Sequence, residues 1–314
     1  MKKAFAVSLL IYFAVALVIM LAAFLSHGDS WPPMFLSIVM LIPLYLWKKN
    51  YTGKVELSKR VDEKPLGIVV GWALALFFLA MMARVPSVLL FNMPYEKAPL
   101  IYLLTLTIIL VERTDLSAFG FKAQKMTRAL LCGATFFIIF QGTILFVQCL
   151  MVYAFTNQTA ISSFDFSLFL FSMPFQVLLV GISEEGLFRG YIQTRMERFG
   201  VFKAVLFQAA LFGFWHFVWY ISPFNLFGIL QYVAFTFLFG MFFGYFYSKA
   251  RNLAPLVLFH GLWNSFQYGM IMDNEVLDML AQTSLLNQFL VWFLPYALAV
   301  LAALVFTKYL VKEI

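Results

Sequence analysis

The chain has 314 residues, of which 63% are hydrophobic and only 12% are charged. Soluble domains carry about a quarter charged residues, and no soluble fold of this length can hide so much apolar surface, so lipid must be the solvent for much of the chain. The formal net charge of +7 is spread between apolar runs and forms no single basic patch, which argues against a nucleic-acid partner.

Apolar runs of about 20 residues predict transmembrane helices. The chain contains about ten such runs, so we expect an all-α, polytopic membrane protein with eight to ten transmembrane helices. The fourth run is short enough for a tilted or re-entrant helix, and the stretch from Glu184 to Phe199 predicts a helix that begins at or inside the membrane edge. The runs lie near residues 4–25, 31–47, 66–91, 98–111, 129–155, 166–183, 203–220, 225–247, 253–272 and 287–307.

The first run follows Lys2 and Lys3, a pattern shared by signal peptides. However, the run is long for the apolar part of a signal peptide, and no clear small-residue cleavage site follows it. We therefore expect a retained first transmembrane helix.

Loop charges predict the orientation of these helices. With the N-terminus in the cytoplasm, all but two of the 22 lysines and arginines fall on the cytoplasmic side, the exceptions being Arg84 and Lys97. This distribution satisfies the positive-inside rule. It predicts a multi-pass protein with both termini cytoplasmic, which we assign to a bacterial plasma membrane.

Polar groups at membrane depth are costly and usually have a partner or a function. The first such group is Glu184-Glu185-Gly-Leu-Phe-Arg189. Glu185 and Arg189 are four apart, share a helix face and can pair. Glu184 lies about 100° round the helix, so it is available as a base. The ordinary structural explanation is a charged helix end at the cytoplasmic interface.

Two further motifs follow along the chain. His216 ends the sequence Phe212-Gly-Phe-Trp-His216, where an ordinary packing histidine is the simpler explanation. His260 and Asn264 are four apart, so both can donate hydrogen bonds to one small region. Their simpler explanation is a hydrogen bond between helices, worth about 1 kcal/mol in membranes.

Together, the three motifs contain the parts of a hydrolase that activates water. A carboxylate can take a proton from water, and imidazole and amide groups can stabilise the oxyanion that forms on the attacked carbonyl. Because only three histidines occur in the chain and two lie in apolar helices, a functional explanation covers the set better than three separate structural ones.

The ordered motifs EExxxR, FxxxH and HxxxN resemble the CPBP family of CAAX proteases and bacteriocin-processing enzymes, also called the ABI family. This family includes the type II CAAX prenyl endopeptidases, which are glutamate intramembrane proteases. The resemblance covers about residues 165–272. It divides the chain into N-terminal helices of unknown role (1–160), a protease core (161–275), and a last helix with a cytoplasmic tail (276–314).

The resemblance also implies a role for each motif residue. Glu184 would activate the water with help from His216, and His260 and Asn264 would form the oxyanion hole. Glu185 and Arg189 would hold the geometry of the site. The implied activity is a metal-independent endopeptidase acting on membrane-associated, lipidated or precursor peptides, without a cofactor.

Three alternatives remain open from the residues. Glu184, His216 and His260 could ligate zinc, although no HExxH spacing occurs. The protein could be a non-catalytic scaffold, immunity or regulatory protein that binds another membrane enzyme, with the N-terminal helices as a partner surface. It could also be a transporter whose pathway is lined by buried polar residues such as Gln141, Gln148, Arg84 and Glu184, but no matching halves are visible in the sequence.

Overall fold

The computed structural model describes residues 2–159 and 161–312. Fifteen α-helices and two short strands make up its regular elements, and the predicted all-α membrane fold is confirmed in its main features. The helices are Lys2–Leu25 (α1), Trp31–Val39 (α2), Leu41–Thr52 (α3), Leu66–Phe91 (α4), Lys97–Leu106 (α5), Met126–Thr156 (α6), Phe166–Phe175 (α7), Ile182–Glu185 (α8), Thr194–Met196 (α9), Val201–Trp215 (α10), Leu226–Ala250 (α11), Ala254–Gly269 (α12), Asn274–Ala281 (α13), Leu285–Trp292 (α14) and Leu294–Leu310 (α15). The strands are Ile161–Phe164 (β1) and Met270–Met272 (β2).

Several helices are joined by turns that are wider or tighter than an α-helix. π-Helical turns occupy Thr107–Val111, Gln176–Gly181 and Gly186–Gln193, and 3-10 turns occupy Leu116–Phe119, Glu197–Phe199 and Phe217–Tyr220. Wide turns of this kind occur often at functional sites. Two of them flank the four-residue helix α8, which carries Glu184 and Glu185.

Eight helical segments within the described residues are long and apolar enough to cross a membrane. The other two predicted runs form shorter helices: the fourth becomes Lys97–Val111, and the ninth becomes the 16-residue helix α12. The count of ten full spans is therefore not confirmed. The eight segments are Lys2–Leu25, Trp31–Thr52, Leu66–Phe91, Met126–Thr156, Phe166–Phe199, Val201–Tyr220, Leu226–Ala250 and Leu285–Leu310.

The structure corrects one predicted boundary. The sequence placed the end of a span at residue 183 and a separate helix after it, whereas a single helical segment of 34 residues runs through Phe166–Phe199. Glu184 therefore lies near the middle of this helical segment and not at one of its ends. The pair of carboxylates that suggested a helix end is instead buried, with Glu184 2% exposed.

The chain forms two compact units that interleave along the sequence. The first contains the chain up to Gln124 together with Leu178–Leu253, and the second contains Lys125–Val177 together with the chain from Ala254.

The first unit has an aromatic and aliphatic core shared by α1, α4, α5 and α10. Phe77, Phe188 and Trp215 pack against one another in this core, with ring centroids 5.7–6.4 Å apart. The hydroxyl of Tyr12 on α1 donates a hydrogen bond to the carbonyl oxygen of Leu79 on α4 over 2.7 Å. Aromatic packing and this hydrogen bond fix the helices that surround Glu184.

The second unit is built on α6, which packs against α12 and α15. Phe136 of α6 lies between Phe259 of α12 and Phe306 of α15, at centroid distances of 4.4 and 5.9 Å. The strands β1 and β2 pair antiparallel in this unit, with Ile161 opposite Met272. This small sheet was not predicted, because residues 270–272 continue the apolar run of α12 in sequence.

Close packing of α6 against α12 depends on Gly133. A Cβ atom at this position would lie 2.5 Å from the carbonyl oxygen of Pro255, which is backbone and cannot move aside easily. Gly142 lies on the same helix, and a Cβ atom there would meet nothing within 4 Å. Alanine substitutions at the two glycines therefore compare a tightly packed position with an open one on the same helix.

We predict that Gly133→Ala lowers the free energy of unfolding by about 1–3 kcal/mol, because overpacking forces the two helices apart. Gly142→Ala should be neutral or stabilising by up to about 1 kcal/mol, because alanine favours the helix more than glycine does. Thermal unfolding of both variants in lipid nanodiscs measures the difference. Equal effects of the two substitutions would contradict the close approach of α6 and α12.

Candidate active site

Glu184 lies at the centre of a buried polar cluster in the first unit. One of its carboxylate oxygens, Oε1, accepts a hydrogen bond from the Lys97 ammonium at 2.6 Å and another from the indole Nε1 of Trp215 at 2.9 Å. The nearest guanidinium nitrogen of Arg84 lies 3.8 Å from the same oxygen. Two cations and one neutral donor thus surround a single oxygen of this carboxylate.

Glu96 is the second acid of this cluster. Its Oε1 lies 2.6 Å from both Arg84 Nη1 and Lys97 Nζ. Arg84 also donates from Nε to the carbonyl oxygen of Trp215 at 3.0 Å, and its guanidinium lies 4.3 Å from the centre of the Trp215 ring. Two acids and two bases balance one another here, as buried charges must.

His216 faces the other oxygen of Glu184. Its Nε2 lies 4.0 Å from Glu184 Oε2, and its Nδ1 lies 2.8 Å from the carbonyl oxygen of Phe212. Because a carbonyl oxygen only accepts hydrogen bonds, Nδ1 carries the proton of the neutral ring. Nε2 is then an acceptor, directed towards the carboxylate side of the site.

Glu185 and Arg189 form the pair that their spacing predicted. Arg189 Nη1 lies 3.2 Å from Glu185 Oε1, and both side chains are fully buried. The guanidinium is also held between two rings, 4.2 Å from the centre of Phe212 and 5.0 Å from that of Phe243. Since Phe212 also accepts the hydrogen bond from His216, the pair buttresses the helix that positions this histidine.

His260 and Asn264 belong to the second unit, on α12. Asn264 donates from Nδ2 to the side-chain oxygen of Gln176 at 3.0 Å, and His260 is 8% exposed. Between them, Gly261 packs so closely on Val177 that an added Cβ would lie 2.3 Å from a valine methyl carbon. The backbone that carries both residues is therefore held firmly within its unit.

A second buried polar cluster lies elsewhere in the first unit. Glu112 accepts hydrogen bonds from the Tyr191 hydroxyl and from the Arg195 guanidinium. These contacts attach the segment after α5 to the helical segment that carries Glu184. They support the site and contribute no group to it.

Arg84 and Lys97 were the two basic residues that fell outside the predicted cytoplasmic segments. In the structure they are buried ion-pair partners of Glu96 and Glu184. Sequence reasoning placed both residues outside the cytoplasmic segments and considered Arg84 as a buried polar residue, but it did not connect either one with Glu96 or Glu184. The available signal was Arg84 inside the 26-residue apolar helix α4, because a cation at such a position needs a partner to offset the cost of its burial. Within residues 2–159 and 161–312, no group of three His, Cys, Asp or Glu side chains is arranged to hold a metal ion.

The comparison with protein families agrees with the motifs. Residues 166–266 match the family model described as type II CAAX prenyl endopeptidase Rce1-like. This stretch, about a third of the chain, is similar to that family and is called the Rce1-like domain below. The Rce1-like domain contains Glu184, Glu185, Arg189, His216, His260 and Asn264, whereas Arg84, Glu96 and Lys97 lie outside it.

The match supports a CAAX-type intramembrane endopeptidase as the general class of the protein. No curated protein and no solved structure showed significant similarity to the chain.

We predict that Arg189→Met destabilises the protein by about 3–5 kcal/mol, because it leaves the Glu185 carboxylate buried beside apolar rings. Arg198→Met is the matched control, since Arg198 is 36% exposed and lies 3.8 Å from an exposed glutamate; it should cost less than about 1 kcal/mol. The double variant Glu185→Gln/Arg189→Met should recover part of the loss. Thermal unfolding in nanodiscs checks all three, and an unaltered Arg189→Met protein would contradict a structural role for this pair.

Proposed function

We propose that the protein is an intramembrane endopeptidase in which Glu184 and His216 together activate a water molecule. The supporting observation is the distance of 4.0 Å between Glu184 Oε2 and His216 Nε2. This distance is too long for a direct hydrogen bond, and it suits a water that donates one hydrogen to each acceptor over about 2.8 Å. Such a water directs its lone pairs away from both groups.

The proposed reaction begins with attack of this water on the carbonyl carbon of a peptide bond. Glu184 takes the proton that the water loses, and the carbonyl oxygen becomes an oxyanion. When the tetrahedral intermediate collapses, the C–N bond breaks and the proton passes to the departing amine. The products are one new carboxyl terminus and one new amino terminus.

His260 and Asn264 take the role of oxyanion donors in this proposal. The amide nitrogen of Asn264 carries two hydrogens, and its contact with Gln176 uses one of them. The second hydrogen remains to be donated to the oxyanion. Gln176 fixes the orientation of this amide, so the donor is preorganised, which is the property that makes such groups effective.

A membrane-anchored or lipid-modified peptide is the proposed substrate. The family description names prenyl endopeptidases. The first unit also contains an apolar cavity of about 250 Å³, which could hold an apolar group of the substrate. Ile101 and Leu104 of α5 and Ile182 of α8 line this cavity, and Lys48 lies beside it. Peptide precursors such as bacteriocins are a second substrate class within the same proposal.

We also propose that both termini face the cytoplasm, in a bacterial plasma membrane. An even number of crossings places the termini on the same side, and Lys2, Lys3, Lys308 and Lys312, which lie next to the two termini, favour the cytoplasm. The N-terminal helices then have two roles to test: they complete the site, and they offer a surface for a membrane partner.

A non-catalytic role is the second candidate, and the contact between Lys97 and Glu184 favours it. A carboxylate held by an ammonium at 2.6 Å is a common structural ion pair. In that case the protein would act as a scaffold, immunity or regulatory protein. Substitution of Glu184 separates the two candidates, because only an enzyme needs this group as a base.

We predict that Glu184→Gln lowers the cleavage rate by about 100-fold or more, which is typical of a lost general base. The measurement uses nanodisc-embedded protein and an internally quenched peptide with an S-farnesylated CAAX terminus, with the unmodified peptide as a second probe. Peptides that accumulate in cells carrying the variant extend the assay to other substrates. Glu63→Gln is the matched control, because its side chain is 87% exposed.

Cleavage by the wild type and the control, but not by Glu184→Gln, would support the proposal. Equal cleavage by Glu184→Gln would exclude this residue as the base. If a phenotype of the wild type persists in both Glu184→Gln and His260→Ala, the non-catalytic candidate is favoured instead. Loss of activity on treatment with a chelator, restored by zinc, would favour the metal alternative.

We predict that Asn264→Ala lowers kcat by about 100-fold, the usual loss for one oxyanion donor. Gln176→Ala should cause a smaller loss, because it removes the group that orients the amide and leaves the donor in place. Steady-state kinetics with the farnesylated peptide measures both effects. A change confined to KM would show that Asn264 binds substrate without stabilising the transition state.

A further inference from the structure

Lys97 has the closest ionic contact with Glu184. Its ammonium lies 2.6 Å from Glu184 Oε1 and 2.6 Å from Glu96 Oε1, and the side chain is 1% exposed. The same nitrogen lies 5.0 Å from the centre of the Trp215 ring. Lys97 begins helix α5 and is 69 residues before the Rce1-like domain begins.

The two oxygens of Glu184 have different surroundings. Oε1 receives the Lys97 ammonium and the Trp215 indole, whereas Oε2 faces His216. Because Oε1 accepts two hydrogen bonds, the Glu184 carboxylate cannot rotate freely about its Cγ–Cδ bond. The other oxygen is therefore held in one direction, and that direction is towards the imidazole.

We infer that Lys97 is a positioning residue of the active site, whose ammonium holds Glu184 Oε1 so that Oε2 and His216 Nε2 can share one water. The inference rests on the proposed function, since it assigns a catalytic consequence to this ion pair. It extends the site beyond the Rce1-like domain. Helix α5 then helps to build the active site through Lys97.

Arg84 has a different role, although it is also a buried cation. Its Nη1 lies 2.6 Å from Glu96 and 3.8 Å from Glu184, and its Nε is held by the carbonyl oxygen of Trp215. Arg84 therefore holds the Glu96 side chain and the backbone of Trp215. Held by these two contacts, its guanidinium stays farther from Glu184 Oε1 than the Lys97 ammonium does, at 3.8 Å against 2.6 Å.

A purely structural explanation of Lys97 is charge balance. Two glutamates and two cations share the cluster, so the loss of Lys97 leaves Glu96 and Glu184 with Arg84 alone. Neutralising Glu96 in the same protein restores the balance and leaves Glu184 intact. The double variant Lys97→Met/Glu96→Gln therefore separates charge balance from positioning.

The experiment compares wild type, Lys97→Met, Lys97→Met/Glu96→Gln and Lys97→Met/Glu184→Gln in nanodiscs. Methionine keeps the length and apolar stem of lysine and removes its charge. Thermal unfolding and the steady-state kinetics of the farnesylated quenched peptide are measured for each. Lys203→Met is the matched control, since Lys203 is exposed on α10, the helix that carries Trp215.

We predict that Lys97→Met lowers Tm by about 5 °C or more, because it leaves two buried carboxylates to share the single positive charge of Arg84. Both double variants should regain most of this loss. In Lys97→Met/Glu96→Gln, however, kcat should stay about 100-fold below that of the wild type, because the Glu184 carboxylate is no longer held in its orientation. KM should be unchanged. Lys203→Met should resemble the wild type in both measurements.

Recovery of kcat together with Tm in Lys97→Met/Glu96→Gln would overturn the inference and leave charge balance as the only role. Unequal recovery, with Lys97→Met/Glu184→Gln as unstable as Lys97→Met, would also overturn it, because the two residues would not be coupled. If the wild type cleaves no peptide, the proposed function fails, and with it the positioning role; the thermal data then report a structural ion pair alone.

Discussion

The ion pair between Lys97 and Glu184 is the interaction on which the site depends. A carboxylate that is 2% exposed must be compensated, because an isolated buried charge is far more costly than a paired one. Lys97 and the Trp215 indole compensate it through one oxygen, and this leaves the second oxygen directed at His216. The same contact that makes burial possible thus also selects the direction in which the carboxylate can act.

Around this pair, each supporting interaction fixes one member of the site. Arg84 balances Glu96 and holds the Trp215 backbone, while the hydrogen bond from His216 Nδ1 to Phe212 determines which ring nitrogen accepts. The guanidinium of Arg189 lies 4.2 Å from the centre of the Phe212 ring. The low dielectric of the membrane interior strengthens such contacts, so a few of them can hold Glu184 and His216 in place without a large soluble domain.

The local features of the site followed from sequence, whereas the long-range ones did not. Glu185 and Arg189 were expected to pair because four residues make one helical turn, and they do so. Lys97 lies 87 residues from Glu184, and Arg84 lies 131 residues from Trp215, so no periodicity connects them. The position of Glu184 was also misjudged, because adjacent carboxylates suggested a helix end where the segment in fact continues through π-helical turns.

The central claim concerns one water between two acceptors, and a cryo-electron microscopy structure in nanodiscs at a resolution that shows ordered waters tests it most directly. The account predicts density for a water within hydrogen-bond distance of both Glu184 Oε2 and His216 Nε2, with Lys97 on Oε1. A direct contact between the carboxylate and the imidazole, or a Lys97 side chain turned away from Glu184, would contradict it.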